Sequence, residues 1–228
     1  QAADHVLWLQ QRHPDVRPER LGHQFLRDDP FWLRLVGDDR LVDIAELFVG
    51  PNVALFASHY ICKPPYSGQA VLWHQDGAYW PLDPMRVVTL WLAVDESTSA
   101  NGCLRVIPGS HRATLHELRD NAEVDSVLGS ESDVDVDESS AVDLELSPGD
   151  VEVHHPNLMH GSRANNSPRR RCGLTIRYIP TSTRITDPEQ PFPSAFLLRG
   201  DPGVNRYQPL PRFDADRHFP FVGAAALP

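Results

Sequence analysis

A chain of 228 residues, 41% of them hydrophobic, is long enough to bury one core and falls where a single domain is the usual outcome. It contains no run of about eighteen apolar residues, and Gln1-Ala2-Ala3-Asp4-His5 has neither a basic nor an apolar leader region. A membrane-spanning helix and a secretory signal are therefore not expected, and the expected location is cytoplasmic. The formal charge of −10 resides in residues 117–145, which hold eleven Asp or Glu and one Arg, and the absence of a basic stripe with interleaved aromatics argues against a nucleic-acid partner.

Residues 1–50 read as a helical flank. Val6, Leu7 and Leu9, then Phe31, Leu33, Leu35 and Val36, then Leu41, Ile44, Ala45, Leu47 and Phe48 follow helical spacing, with Asp38-Asp39 as cap residues and Gly50-Pro51 as the stop. Gln1 is not an initiator residue, so the native chain is open to a segment ahead of it. From residue 53 the pattern becomes short strands, expected near 53–61, 70–75, 86–94, 103–107, 141–146, 150–154 and 172–179, each bounded by Pro, Gly, Asn or Ser. Many short strands at this spacing predict an all-β sandwich or barrel. Residues 51–180 form the expected core, residues 181–228 a C-terminal extension, and the whole is expected to be one domain. Residues 117–145 interrupt the core and have too little apolar content to bury themselves, which predicts a flexible surface insertion or a mobile lid.

Cys62, Cys103 and Cys172 are odd in number, widely spaced and without a Cys-x-x-Cys, so they are expected as buried packing residues rather than as a disulfide framework or a structural zinc site. Lys63 is the only lysine among 21 basic residues.

Chemistry concentrates in Trp73-His74-Gln75-Asp76 and in the segment from His155 to Ser162. On a strand, His74 and Asp76 project to the same face with Gln75 opposite, and His160, in a Pro-bounded turn after a later strand, offers a second imidazole. Two imidazoles and one carboxylate suit non-heme Fe(II) and leave coordination positions open; zinc uses the same donors. A cosubstrate with two carboxylates needs a fixed cation at its distal end. Of Arg169, Arg170 and Arg171, only Arg171 lies on a strand face, with Gly173, Thr175 and Arg177, that is expected to line a cavity, whereas Arg169 and Arg170 read as a solvated turn.

These residues resemble the phytanoyl-CoA dioxygenase family of Fe(II)- and 2-oxoglutarate-dependent oxygenases. The likeness runs through Lys63-Pro64-Pro65, Trp73 to Trp80, Val88 to Trp91, Asn101 to His111, Pro148-Gly149-Asp150, His155 to Ser162 and Arg171 to Pro180, and more weakly through Phe196 to Gly200. The resemblance implies a double-stranded β-helix (jelly roll, cupin-like) with flanking N-terminal helices. It further implies iron ligation by His74, Asp76 and His160, 2-oxoglutarate bound by Arg171 and Ser162 with Trp91 and Lys63 nearby, and O2 as co-reactant. His154 and His155 are rival imidazoles, of which His155 is expected to support a ligand; His111 reads as a turn residue. Related halogenases lack the carboxylate of the first motif, so Asp76 favours hydroxylation or another oxidation.

Tyr79, Trp80, Arg105 and Arg163 are the candidate substrate contacts. The expected substrate is a small natural-product intermediate, since no basic patch for a coenzyme A phosphate is evident and Ala225-Ala226-Leu227-Pro228 is no peroxisomal address. Ring closure or desaturation is as compatible with the sequence as hydroxylation. Two other classes remain open: a zinc hydrolase on the same three residues, which has no need of Arg171, and a non-catalytic jelly-roll binding module.

Overall fold

The computed structural model describes residues 1–187 and 196–224. Four helices open the chain: α1 (Ala2–Arg12), α2 (His23–Leu26), α3 (Pro30–Val36) and α4 (Asp39–Val49). Asp29 caps α3 by accepting from Trp32 N at 3.0 Å, and Pro30 occupies its first turn, where the missing N–H costs nothing. Asp38 caps α4, and Gly50, at φ 90°, ends it in a conformation that side chains resist.

Thirteen strands follow among the described residues: β1 (Val53–Lys63), β2 (Val71–His74), β3 (Leu82–Asp83), β4 (Val88–Ala93), β5 (Leu104–Val106), β6 (Leu118–Asp120), β7 (Ser130–Ser132), β8 (Val142–Leu144), β9 (Val151–His154), β10 (His160–Ser162), β11 (Arg171–Pro180), β12 (Arg184–Ile185) and β13 (Phe196–Arg199). A five-stranded sheet, ordered β13-β1-β11-β4-β9, faces a four-stranded sheet, ordered β2-β10-β5-β8, and every pairing is antiparallel. This is the expected jelly roll with its helical flank.

The period-two pattern of β11 decides which residues meet which layer. Leu174, Ile176 and Tyr178 point outward, joining Trp32, Val36, Leu41, Val42 and Ala45 of the helices in the main core. Each such side chain contributes about 2 kcal/mol by leaving water. Polar pins fix the helices at this interface: Tyr178 Oη donates to Val36 O at 2.7 Å, and Trp32 Nε1 donates to Ser58 Oγ at 3.1 Å. Arg171, Thr175 and Arg177 point the other way and line the space between the sheets. Cys62 and Cys172 are buried and free, directly opposite each other across β1 and β11, and Cys103 is buried and free as well.

Residues 117–145 differ from the expectation of a flexible surface insertion. They contain the hairpin β6–β7 and strand β8, and Ser126 bridges Ala70. Four of their eleven acidic groups find cations: Arg119 pairs with Glu131 and Asp133, and Arg105 pairs with Glu138 and Asp143. Residues Ala225 to Pro228 lie outside the described residues, as do 188–195, and among the described residues no helix is long and apolar enough to cross a membrane.

Candidate metal centre and cosubstrate pocket

His74 ends β2 and His160 opens β10, and the antiparallel register sets them directly opposite each other, ring centroids 4.1 Å apart. The expected Pro-bounded turn for His160 is therefore a short strand. Asp76 also differs from its expectation: β2 stops at His74, Gln75 stays extended, and Asp76 begins a 3-10 turn over Asp76–Tyr79. Gln75 points away and staples the turn, donating to Asn157 O at 2.8 Å and accepting from His116 N at 2.8 Å.

One donor atom each from His74, Asp76 and His160 falls within 4.8 Å of the others, and all three residues are buried. Asp76 Oδ1 lies 3.5 Å from His74 Nε2 and 3.9 Å from His160 Nε2. Both imidazoles use Nδ1–H to donate to a carbonyl two residues back, His74 to Leu72 O and His160 to Leu158 O, each at 2.8 Å. That leaves each Nε2 with a lone pair turned toward the shared space, the tautomer a metal requires. Burial, and then neighbouring His74, hold the pKa of His160 well below its usual value, so it stays a neutral donor. Burial alone would raise the pKa of Asp76, but Arg177, His154 and His74 outweigh it and keep the carboxylate ionised.

The far oxygen of Asp76 is held separately. Oδ2 accepts from Thr89 Oγ1 at 3.3 Å and lies 3.4 Å from His154 Nε2, while His154 Nδ1 donates to Glu152 Oε2 at 2.8 Å. Burial opposes a charge on His154, yet Glu152 and Asp76 prevail and raise its pKa to about 9. His154, on β9, thus supports a ligand. His155 is exposed, packs near His111 and touches none of the three, which reverses the expected choice between the neighbours: strand alternation turns 154 inward and 155 outward.

A cavity of about 160 Å³ opens onto these groups. Arg171 is fully enclosed at one end; its Nε donates to Gly102 O at 2.9 Å, Nη1 to Ile61 O at 3.3 Å and Nη2 to Ser162 Oγ at 3.3 Å. Gly102 adopts φ 79°, and a Cβ there would come within 2.5 Å of Arg163 O. The guanidinium lies 5.4 Å from the Trp91 ring centroid, and Trp91 fits because position 173 is glycine: a Cβ on Gly173 would fall 1.9 Å from Trp91 Cζ2.

Lys63, buried behind Ser162, donates from Nζ to Ser162 Oγ at 2.7 Å and also to Arg163 O. Ser162 Oγ therefore accepts from two cations, which frees its own O–H to donate into the cavity. Neither Arg171 nor Lys63 forms an ion pair with a carboxylate among the described residues. Burial lowers the Arg171 pKa to about 10, while burial and the nearby Arg171 push that of Lys63 well below normal. Such a pair of enclosed cationic groups is stabilised by an arriving anion.

Tyr79 and Trp80 line the cavity, Tyr79 hydrogen-bonding Ser130 Oγ of the insertion at 2.8 Å. Arg105 and Arg163 do not. Arg105 is occupied by Glu138 and Asp143 and lies 5.2 Å from the Trp73 ring centroid, while Arg163 is exposed and contributes only its carbonyl, to Lys63. Arg170 is not a solvated turn residue, because Nε and Nη2 grip both oxygens of Asp95 at 2.7 and 2.8 Å. His59 and Leu128 also line the cavity, unselected by sequence reasoning, as do Thr175 and Arg177, which it had turned inward without giving them a role. The parity of β11 had already put Thr175 and Arg177 on the inner face, which was the available signal.

The profile of the phytanoyl-CoA dioxygenase (PhyH) family matches residues 7–173. The chain is 33% identical over 197 residues to an ectoine dioxygenase of Sphingopyxis alaskensis, covering 78% of this chain and 64% of that protein. Among solved structures, a non-heme monooxygenase, ThoJ, superposes with a TM-score of 0.77 at 27% identity, covering 92% of this chain and 79% of the other. EctD from S. alaskensis, determined with 2-oxoglutarate and 5-hydroxyectoine, superposes with a TM-score of 0.62 at 27% identity, covering 92% and 80%. The chain spans about half to two thirds of the length of the curated relatives it matches.

Proposed function

This chain belongs to the phytanoyl-CoA dioxygenase family, and from that premise we propose that it is a non-heme Fe(II)- and 2-oxoglutarate-dependent dioxygenase acting on a small-molecule substrate. The donor set fits the metal: two imidazoles whose Nδ1–H groups are held by Leu72 O and Leu158 O, and one ionised carboxylate, are the donors that suit non-heme Fe(II). His74, Asp76 and His160 would hold Fe(II), which with 2-oxoglutarate and O2 supplies oxidising power against a substrate C–H bond, releasing succinate and CO2.

The chain's own residues position and enclose. Arg171 and the Ser162 hydroxyl would hold the distal carboxylate of 2-oxoglutarate, Lys63 would turn that hydroxyl toward it, and Trp91 would wall the pocket. Thr89 and His154 keep Asp76 Oδ2 engaged, which would leave Oδ1 to hold the ion. The product is a hydroxylated or otherwise oxidised natural-product intermediate, ring closure being open to the same chemistry; the presence of Asp76 argues against halogenation.

The enclosed Arg171–Ser162–Lys63 cluster, cationic and without a carboxylate partner among the described residues, carries this reading. A zinc hydrolase at the same triad would leave that cluster without a purpose, and a binding module would need no tautomer-matched donors. The test is to add Fe(II) and 2-oxoglutarate anaerobically and then admit air. A visible charge-transfer band followed by succinate is expected, and the lack of both would end the proposal.

A further inference from the structure

Strand β11 carries two buried arginines on its inner face. Arg171 and Arg177 are six residues, or roughly 20 Å of extended chain, apart. Arg171 meets three protein acceptors and needs only the cosubstrate. Arg177 is less complete: Nη1 contacts His59 Nδ1 and Thr175 Oγ1, Nη2 lies 3.5 Å from Asp76 Oδ1, and the buried Nε–H has no hydrogen-bond partner among the described residues. Arg177 Cζ lies 5.3 Å from the Trp80 ring centroid, within cation–π range.

Charge points the same way. Asp76 is the only carboxylate among the described cavity-lining residues, and its Oδ1 is the atom that would ligate a metal. A bound divalent ion would then take the one carboxylate contact that Arg177 has, in an enclosed space where an uncompensated cation is costly. The dianionic cosubstrate would answer Arg171 at the other end and leave Arg177 unanswered. Trp80 and Thr175 meet Arg177 directly, and Tyr79 and Leu128 line the same cavity.

We propose that Arg177, with Thr175 and the ring of Trp80, is a second anion subsite in this cavity, and that the molecule oxidised is a small organic acid whose carboxylate, phosphonate or sulfonate group it binds. This rests on the oxygenase reading and narrows it to one substrate class. The acidic group meets the guanidinium where Arg177 lines the cavity, and the carbon skeleton lies against Trp80.

The experiment uses protein loaded with Ni(II), which supports no turnover, and saturating 2-oxoglutarate, so that the metal and Arg171 are already engaged. Calorimetry with benzene and cyclohexane carboxylates, phosphonates and sulfonates, each against its neutral amide, reads the subsite directly. At least one acid series is expected to bind about tenfold more tightly than its amide, a preference lost in Arg177→Met and kept in part in Arg177→Lys. The three acid series identify which anion is preferred. Amides that match the acids throughout, or an acid preference that survives in Arg177→Met, would overturn the subsite; should Arg177→Met fail to fold, the acid-to-amide ratio in the unmodified protein and in Arg177→Lys decides alone. The 2-oxoglutarate titration comes first: its failure would remove the oxygenase reading and the subsite together, whereas normal cosubstrate binding without any acid preference removes the subsite only.

Discussion

His154 Nε2 lies 3.4 Å from Asp76 Oδ2, while Oδ1 is the oxygen nearer His74 and His160. With Glu152 behind it, His154 completes a buried chain that holds Asp76 Oδ2 and leaves Oδ1 toward His74 and His160. His154→Gln is expected to weaken Mn(II) or Fe(II) affinity about tenfold, the cost usual for losing a partner of a metal ligand. Titration calorimetry under anaerobic conditions checks it; unchanged affinity would mean that Thr89 alone holds Oδ2.

The two neighbouring arginines should separate cleanly. Arg171→Met is expected to weaken 2-oxoglutarate binding about a hundredfold while leaving metal affinity near normal, because it removes a charge-assisted bidentate partner. Arg170→Ala should leave cosubstrate binding intact and cost about 1 kcal/mol of stability through the lost Asp95 pair, which is half-buried. The charge-transfer band, titrated with 2-oxoglutarate, and a chemical denaturation curve measure the two effects.

Gly173→Ala tests the pocket wall. Its Cβ would overlap the Trp91 indole at 1.9 Å, so the ring must leave its place or the strand must shift. A destabilisation of about 2–3 kcal/mol is expected, together with weaker 2-oxoglutarate binding. A variant that melts and binds like the parent would show that Trp91 can move freely.

His23 supplies a pH dependence remote from the metal. Burial, assisted by Arg27, lowers its pKa to about 4, so the folded protein keeps it neutral where the unfolded chain protonates it near 6.5. The unfolded state binds the extra proton between those values, and stability therefore falls as pH drops from about 6.5 to about 4 and then levels, a contribution of about 3 kcal/mol. In His23→Leu that acid-side slope should shrink by about one proton. Urea denaturation from pH 7.5 to pH 4 provides the comparison.

The sheet architecture was readable because it follows from a local rule, alternating apolar residues between turn formers, and the triad because His74, Asp76 and His160 stand in motifs that resemble the family's. What escaped was whatever depends on neighbours distant in sequence. His154 and His155 look equivalent until β9 pairs with β4 and decides which one turns inward. Arg105 looked like a cavity residue because it sits in a motif, yet Glu138 and Asp143, more than thirty residues away, claim it. The same pairs explain why 117–145 adopts strands despite a composition that argues for mobility: composition counts charges but does not reveal that Arg105 and Arg119 will meet them.

The register that sets His74 opposite His160 has a thermodynamic corollary. Sliding β10 past β2 by one residue would swing one imidazole to the reverse side of the sheet, so only the native alignment offers both nitrogens to a single ion. An ion captured there acts as a clasp on the short four-stranded layer, rewarding correct pairing with binding free energy that no slipped arrangement receives.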